Sequence, residues 1–414
     1  MTGSALEPLA HQPFRWLVAA RTVAVLGNII APVALAFAVL DITGSPAALG
    51  LVLAARSVPQ VVFMLAGGVV ADRWSRRRVF LVAALVSALA QALAATVVLS
   101  GRASVGMLAG IEAVNGAASA FIFPAAAGLT PLTVPATLLQ QANALLRLGL
   151  NGATILGAAA GGLLVAAVGP GWGLAVDAVT FVLAAALLVP LRVVQDAPLE
   201  VSSVWGDLRA GWREVRTRTW LWVVVLVFAL ANAGYAATMG VLGPVIADDS
   251  IGRAGWGLVL AAQSAGLVLG GVLALRVALR HPLRAGLLAA LMSVPLFVVL
   301  AVAPTLVPLL LLAVLAGIGA EVFSIGWDVA LQENVPTDRL SRVYSFDALG
   351  SFVLIPAGQA LVGPAAAAVG AQTTVLAAAA VSAVCLLGAL AVPSVRNLGR
   401  IRPATPLPET SPVS

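Results

Sequence analysis

Apolar positions in this chain fill whole segments instead of alternating or forming one-sided stripes. A helix needs roughly 20 mostly apolar residues to cross a bilayer. Runs of that kind fall at 14–40, 47–71, 79–100, 103–126, 138–168, 172–191, 219–246, 255–278, 283–303, 306–331, 341–366 and 372–393. Polar positions gather in short breaks between these runs, and the longest break is 192–218. Only a helix satisfies its own backbone hydrogen bonds inside such a run. The pattern therefore predicts an all-α polytopic membrane protein with twelve transmembrane helices. The first run contains Ala34-Leu35-Ala36, which imitates a signal-peptide cleavage site. It is too long for a signal peptide and eleven runs follow, so it is read as the first span.

Composition changes the picture only by strengthening it. The 414 residues are 61% hydrophobic and 10% charged, with mean hydropathy +1.05. Soluble chains are about 45–50% apolar and about 25% charged, so the surplus must face lipid. Charge does more, because it sets orientation. All 23 basic residues are Arg. Of these, 18 fall after span 12, in the even-to-odd connections or at the run ends on that same face. Arg102 and Arg253 lie on the opposite face, while Arg21, Arg56 and Arg147 lie within spans. An excess of basic residues marks the cytoplasmic side, so both termini are expected in the cytoplasm. The net charge of +6 is then topology, and no nucleic-acid partner is expected.

The same inventory excludes several chemistries. A P-loop needs a Lys on the nucleotide phosphates, and the chain has none. His11 and His281 are far apart and Cys385 is alone, which leaves no metal-ligand cluster and no intrachain disulfide. No metal and no cofactor are expected.

Two segments recur. Gly67-Gly68-Val69-Val70-Ala71-Asp72-Arg73 closes span 2, and Gly270-Gly271-Val272-Leu273-Ala274-Leu275-Arg276 closes span 8, 203 positions later. Val134-Pro135 before span 5 returns as Val335-Pro336 before span 11, 201 positions later. Together they fit a parallel duplication of six helices. The expected units are an N-terminal bundle (1–191), a cytoplasmic linker (192–218), a C-terminal bundle (219–393) and a disordered cytoplasmic tail (394–414). In the linker, Val204, Leu208, Trp212 and Val215 recur at helical spacing. They describe an amphipathic helix on the anionic leaflet or an ordinary basic connection.

The stretch Gly68-Val69-Val70-Ala71-Asp72-Arg73-Trp74-Ser75-Arg76-Arg77, between spans 2 and 3, resembles the signature loop of the major facilitator superfamily, G-x-L-A-D-R-x-G-R-K. Val70 and Ser75 depart from that pattern. The segments Asp177-Ala178-Val179-Thr180-Phe181 and Val335-Pro336 through Arg339 and Arg342 look like the enterobactin-exporter-like and drug efflux branch. Gly157-Ala158-Ala159-Ala160-Gly161-Gly162 is similar to the antiporter motif G-P-x-x-G-G, with Ala158 in place of Pro. The resemblance implies two pseudo-symmetric six-helix bundles in the major facilitator fold. It also implies that Gly68, Asp72, Arg73, Arg76 and Arg77 form a latch that closes the outward-facing state against span 11. The matching partner would be Asp347, meeting Arg73 or Arg76. Alternatively, the Arg cluster only enforces topology.

Ionisable groups within a span cost about 2.5–3.5 kcal/mol each on the insertion scale and tend to be functional. Arg56 and Glu112 each lie nine residues into spans entered from the same face, at equal depth for a rise of roughly 1.5 Å per residue. They are expected to meet or to share a cavity. Burial favours a neutral carboxyl and a nearby guanidinium favours a carboxylate, so the pair suits proton coupling; a permanent bridge is the other reading. Glu321, near mid-membrane in span 10, is the corresponding proton-coupling candidate of the second half. Asp177 joins these candidates, although its place near the outer end of span 6 also suits a structural bond. Asp328 and Asp347 sit near the cytoplasmic ends of their spans. Asn28, Gln60, Asn232, Tyr235, Gln263 and Gln359 are candidate cavity linings or inter-helix hydrogen bonds. Pro32, Pro59, Pro124, Pro244, Pro295 and Pro356 mark expected kinks.

The expected function is secondary active transport by alternating access, coupled to protons. The expected cargo is a hydrophobic or amphipathic small molecule (a drug, siderophore or secondary metabolite), exported by a monomer in a bacterial cell membrane. The alternative is an importer or facilitator on the same fold. An enzyme is disfavoured because no catalytic constellation is present. A non-transporting sensor is disfavoured because no soluble output domain is present.

Overall fold

The structure, a computed structural model, describes residues 6–193, 213, 215–276 and 280–399. Twelve helices among the described residues are long and apolar enough to span a membrane. The first half comprises α1 (Gln12–Thr43), α2 (Pro46–Arg73), α3 (Arg76–Leu99), α4 (Val105–Leu129), α5 (Leu139–Val168) and α6 (Pro170–Leu188). The second comprises α7 (Thr219–Asp248), α8 (Gly252–Arg276), α9 (Pro282–Val302), α10 (Leu306–Asn334), α11 (337–369) and α12 (Ala371–Ala391). Every predicted run is a helix, with ends moved by a few residues.

The repeat is visible in both turns and packing. Gly169 and Gly370 adopt positive φ, 92° and 88°, and each joins two helices through a single residue. Only glycine takes that conformation at little cost. The two lie 201 positions apart, the spacing of the Val-Pro repeat. In the first half α1 packs on α5 and α6, α2 on α4, and α3 on α4 and α6. The second half repeats this: α7 on α11 and α12, α8 on α10, and α9 on α10 and α12. Between the halves, α2 meets α11 and α5 meets α8. The arrangement is two pseudo-symmetric six-helix bundles.

The apolar clusters show which face is closed. One cluster runs through both halves, from Phe37 and Leu49 of α1 and α2 to Leu242 and Trp256 of α7 and α8. It continues through Phe297 and Leu309 of α9 and α10. All of these lie at the helix ends opposite the Arg-rich loops. Toward the Arg-rich face each half has its own cluster instead. One is built on Leu17, Phe80 and Phe181, and the other on Trp220, Phe323 and Leu386. The halves are therefore sealed on one face and part toward the other. Leu85, Leu89 and Leu93 of α3 and Val381, Val384 and Leu387 of α12 are exposed, as expected for surfaces that meet lipid.

The prolines behave differently in the two halves. Pro32, Pro59 and Pro124 ride inside continuous helices. In the second half each marked proline follows an interruption. Pro244 follows a π-helical stretch at Ala236–Leu242, and Pro295 follows a break after Ala290. Pro356 follows a break after Phe352. The predicted amphipathic helix of the linker lies largely outside the described residues; Val215 is buried against α7. Of the tail expected to be disordered, Pro393–Arg396 forms a helical turn with Val395 fully buried, and 400–414 lie outside the described residues.

Candidate functional site

A buried charge cluster occupies the middle of the first half. Arg56 Nη1 lies 3.5 Å from Glu112 Oε2, and Arg56 Nη2 donates to Asn28 Oδ1 at 2.7 Å. Glu112 is fully buried and also accepts from Gln91 Nε2 at 3.3 Å and Asn115 Nδ2 at 3.4 Å. Three helices thus converge their donors on one carboxylate. Asp177 of α6 is equally buried, within the fields of Arg56 and Glu112. Its Oδ1 accepts from Thr180 Oγ1 at 3.5 Å, and its Oδ2 has no hydrogen-bond partner among the described residues. Gly27 of α1 makes room here: a Cβ on it would lie 1.8 Å from Thr180 Oγ1 and 2.6 Å from Asp177 Oδ1. Beside the cluster, a cavity of about 230 Å³ is lined by Arg21, Asn28, Gln60 and Ser119.

The larger cavity, about 630 Å³, belongs wholly to the second half. Asn232, Tyr235 and Gln263 line it, as do Asp328, Tyr344 and Asp347. Tyr235 OH donates to Gln263 Oε1 at 2.6 Å, joining α7 to α8. Asn232 Nδ2 donates to the Ser351 carbonyl at 3.1 Å, just before the α11 break. That bond serves a backbone acceptor beside the interruption. Phe228 stacks on Phe323 with centroids 3.7 Å apart, and Trp327 continues the stack at 6.3 Å. Gln359 lines neither cavity; it is buried where α11 crosses α2 against Gly50.

The signature-loop residues distribute differently. Gly68, Asp72 and Arg73 lie in the last turns of α2, and their side chains are outside the described set. Arg76 Nη1 donates to the Gly128 carbonyl at 2.8 Å. Arg77 Nε donates to the Leu188 carbonyl at 2.8 Å, with a second bond to Val189. Both serve the C-terminal carbonyls of α4 and α6, where a cation is favoured. Asp347 accepts from Trp327 Nε1 at 2.8 Å and Ser351 Oγ at 3.1 Å, within its own half. Glu321 is half-buried on α10 against Gly270 and Gly271 of α8, and Arg147 of α5 is the cation whose field reaches it.

On the sealed face, Arg253 at the start of α8 bridges the halves. Its guanidinium pairs with Asp41 of α1 and, through Nε at 3.0 Å, with Asp248 of α7. It also sits 4.9 Å above the Phe37 ring. Nearby, Gly162 of α5 and Gly257 of α8 face each other so closely that a Cβ on Gly162 would lie 2.6 Å from Gly257 Cα.

Sequence reasoning missed the aromatic wall, the cavity-facing role of Asp328, the Glu112 partners Gln91 and Asn115, and the Asp41–Arg253–Asp248 bridge. The wall had a signal. Phe323 and Trp327 are four apart, and Tyr344 and Asp347 three apart, spacings that place each pair on one helix face.

The chain matches the family model described as transmembrane secretion effector, MFS_3, over residues 3–308. No curated protein matches it in sequence. Among solved structures it resembles the nucleoside transporter NupG, with TM-score 0.74 and 16% identity over 92% of this chain and 98% of that one. It resembles a bacterial homolog of the human lysosomal transporter Spinster, inward-facing and unoccupied, with TM-score 0.70 and 16% identity over 95% and 99%. A bacterial homologue of the iron transporter ferroportin, inward-facing, matches with TM-score 0.70 and 17% identity over 92% and 99%. At these identities the likeness carries the fold alone, and the expected fold is met. The chain belongs to the transmembrane secretion effector family and is a transporter of the major facilitator superfamily.

Proposed function

We propose that this transporter exports a hydrophobic or amphipathic small molecule in exchange for protons. One observation carries the coupling: two fully buried carboxylates, Glu112 and Asp177, lie within the field of one guanidinium, Arg56, which pairs with Glu112 alone. Charge balance inside the membrane calls for a proton on one of them, because an uncompensated buried charge is costly. A change in the helix packing around α1, α2, α4 and α6 alters that balance, so proton uptake and release follow the position of the halves. Export draws support from the family description and from the glycine-rich stretch 157–162 of α5.

The Arg distribution orients the molecule with both termini in the cytoplasm of a bacterial cell, so the structure is an inward-facing state. Arg73 or Arg76 meets Asp347 when the opposite state forms, after Asp347 leaves Trp327 and Ser351. The chain works as a monomer. A protonmotive exchanger is tested in everted membrane vesicles with a pH-sensitive dye and a panel of lipophilic compounds. Substrate-triggered proton release is expected, with Glu112→Gln and Asp177→Asn each abolishing it. A protein that moves substrate without protons would contradict the coupling. Loss confined to Glu321→Gln would place the coupling in the second half instead.

A further inference from the structure

The second-half cavity has a chemistry distinct from that of the charge cluster. Its volume of about 630 Å³ lies within the range of sites for drug-sized molecules. Two carboxylates face into it from different helices, Asp328 of α10 and Asp347 of α11, each within the other's field. Among the described lining residues there is no Arg and no His. Each carboxylate is held by neutral donors. Asp347 takes the Trp327 indole and the Ser351 hydroxyl, and Asp328 takes Tyr344 OH at 3.0 Å. Neutral donors fix the oxygens in place but supply no positive charge, so an entering cation is what would compensate the carboxylates. Neither carboxylate has an ion-pair partner among the described residues.

The rest of the wall selects the remainder of a ligand. Phe228, Phe323 and Trp327 form a continuous aromatic stack beside the carboxylates. An aromatic face attracts a cation through its quadrupole and covers an apolar body by area burial. An anion would meet two like charges here, and a neutral molecule would leave both unmatched. The complementary ligand carries a positive centre on an apolar or aromatic frame.

We propose that this cavity binds a lipophilic organic cation, entirely within the second half. The charged centre sits between Asp328 and Asp347, and the body lies on the Phe228–Phe323–Trp327 stack. The proposal rests on the transporter reading for its purpose, but binding itself requires neither a proton gradient nor a direction of transport.

The test is equilibrium dialysis of purified protein in detergent with radiolabelled tetraphenylphosphonium. Tetraphenylborate, matched in shape and opposite in charge, and neutral triphenylphosphine oxide serve as competitors. The cation is expected to bind, with tetraphenylborate at least tenfold weaker as a competitor than unlabelled cation. Asp328→Asn with Asp347→Asn should weaken binding at least tenfold, and Phe323→Leu should weaken it several-fold, in samples that melt like the parent. Absence of cation binding, equal competition by the anion, or unchanged affinity in a folded double variant would each overturn the proposal. Because no gradient is present, the result is independent of proton coupling.

Discussion

Arg56 and Glu112 make the most deeply buried ion pair among the described residues, since one is 11% exposed at its side chain and the other not at all. Breaking a buried pair by removing one partner costs about 3–5 kcal/mol, because the survivor stays buried without compensation. Removing both costs less. Arg56→Gln should therefore lower the melting temperature in detergent far more than Arg56→Gln combined with Glu112→Gln. If the double variant were the less stable, the pair would not be a mutually compensating unit. Depth counting alone made this meeting legible, because both residues enter from one face. Asp177 was harder to read. Counting depth along α6 placed it toward the outer end, whereas the close crossing at Gly27 brings it within reach of the cluster. A sequence shows how far a residue lies along its own helix but not which neighbour approaches it.

Two kinds of contact close the sealed face between helices, and their magnitudes differ. The Arg253 bridge joins partly exposed groups, with side-chain exposures of 23%, 41% and 34%. Such pairs contribute about 0–1 kcal/mol. Burying one large apolar side chain contributes about 1.5–3 kcal/mol, and this face buries Phe37, Leu49, Leu242 and Trp256 together. Apolar packing therefore dominates the seal, and the close approach of Gly162 and Gly257 permits it. Gly162→Leu should wedge α5 from α8 and expose single cysteines introduced on the sealed face to a membrane-impermeant thiol reagent, while Arg253→Gln should change that labelling only a few-fold. Equal effects would show that the ion pairs hold the face. The glycines were legible as a packing surface, but their partner was not, because the contact crosses between repeats. The prolines give a similar lesson. All six read alike in sequence, yet only those of the second half follow breaks. Each Pro removes one donor, and whether a helix then parts depends on its neighbours; at the α11 break Asn232 donates to the nearby Ser351 carbonyl.

For the whole molecule, the twelve spans and their duplication were legible because lipid demands long apolar helices and because Gly and Val-Pro signals recur at a nearly constant offset. What the pattern could not carry is the conformational state. The same spans and repeat suit a molecule open on either side. The distribution of apolar clusters decides it, joined across the halves on one face and separate on the other. The central claim is that these halves rock about the cavities between those faces. Double electron–electron resonance tests it most directly. Cys385 is the one native cysteine, so Cys385→Ser gives a clean background. Thr43→Cys with Ser250→Cys places labels at exposed positions on the sealed face, and Arg78→Cys with Arg284→Cys places them on the Arg-rich face. Under a changed pH or a transported compound, the first distance should lengthen and the second should shorten, in the same fraction of molecules. Distances that never change, or that lengthen together, would contradict alternating access.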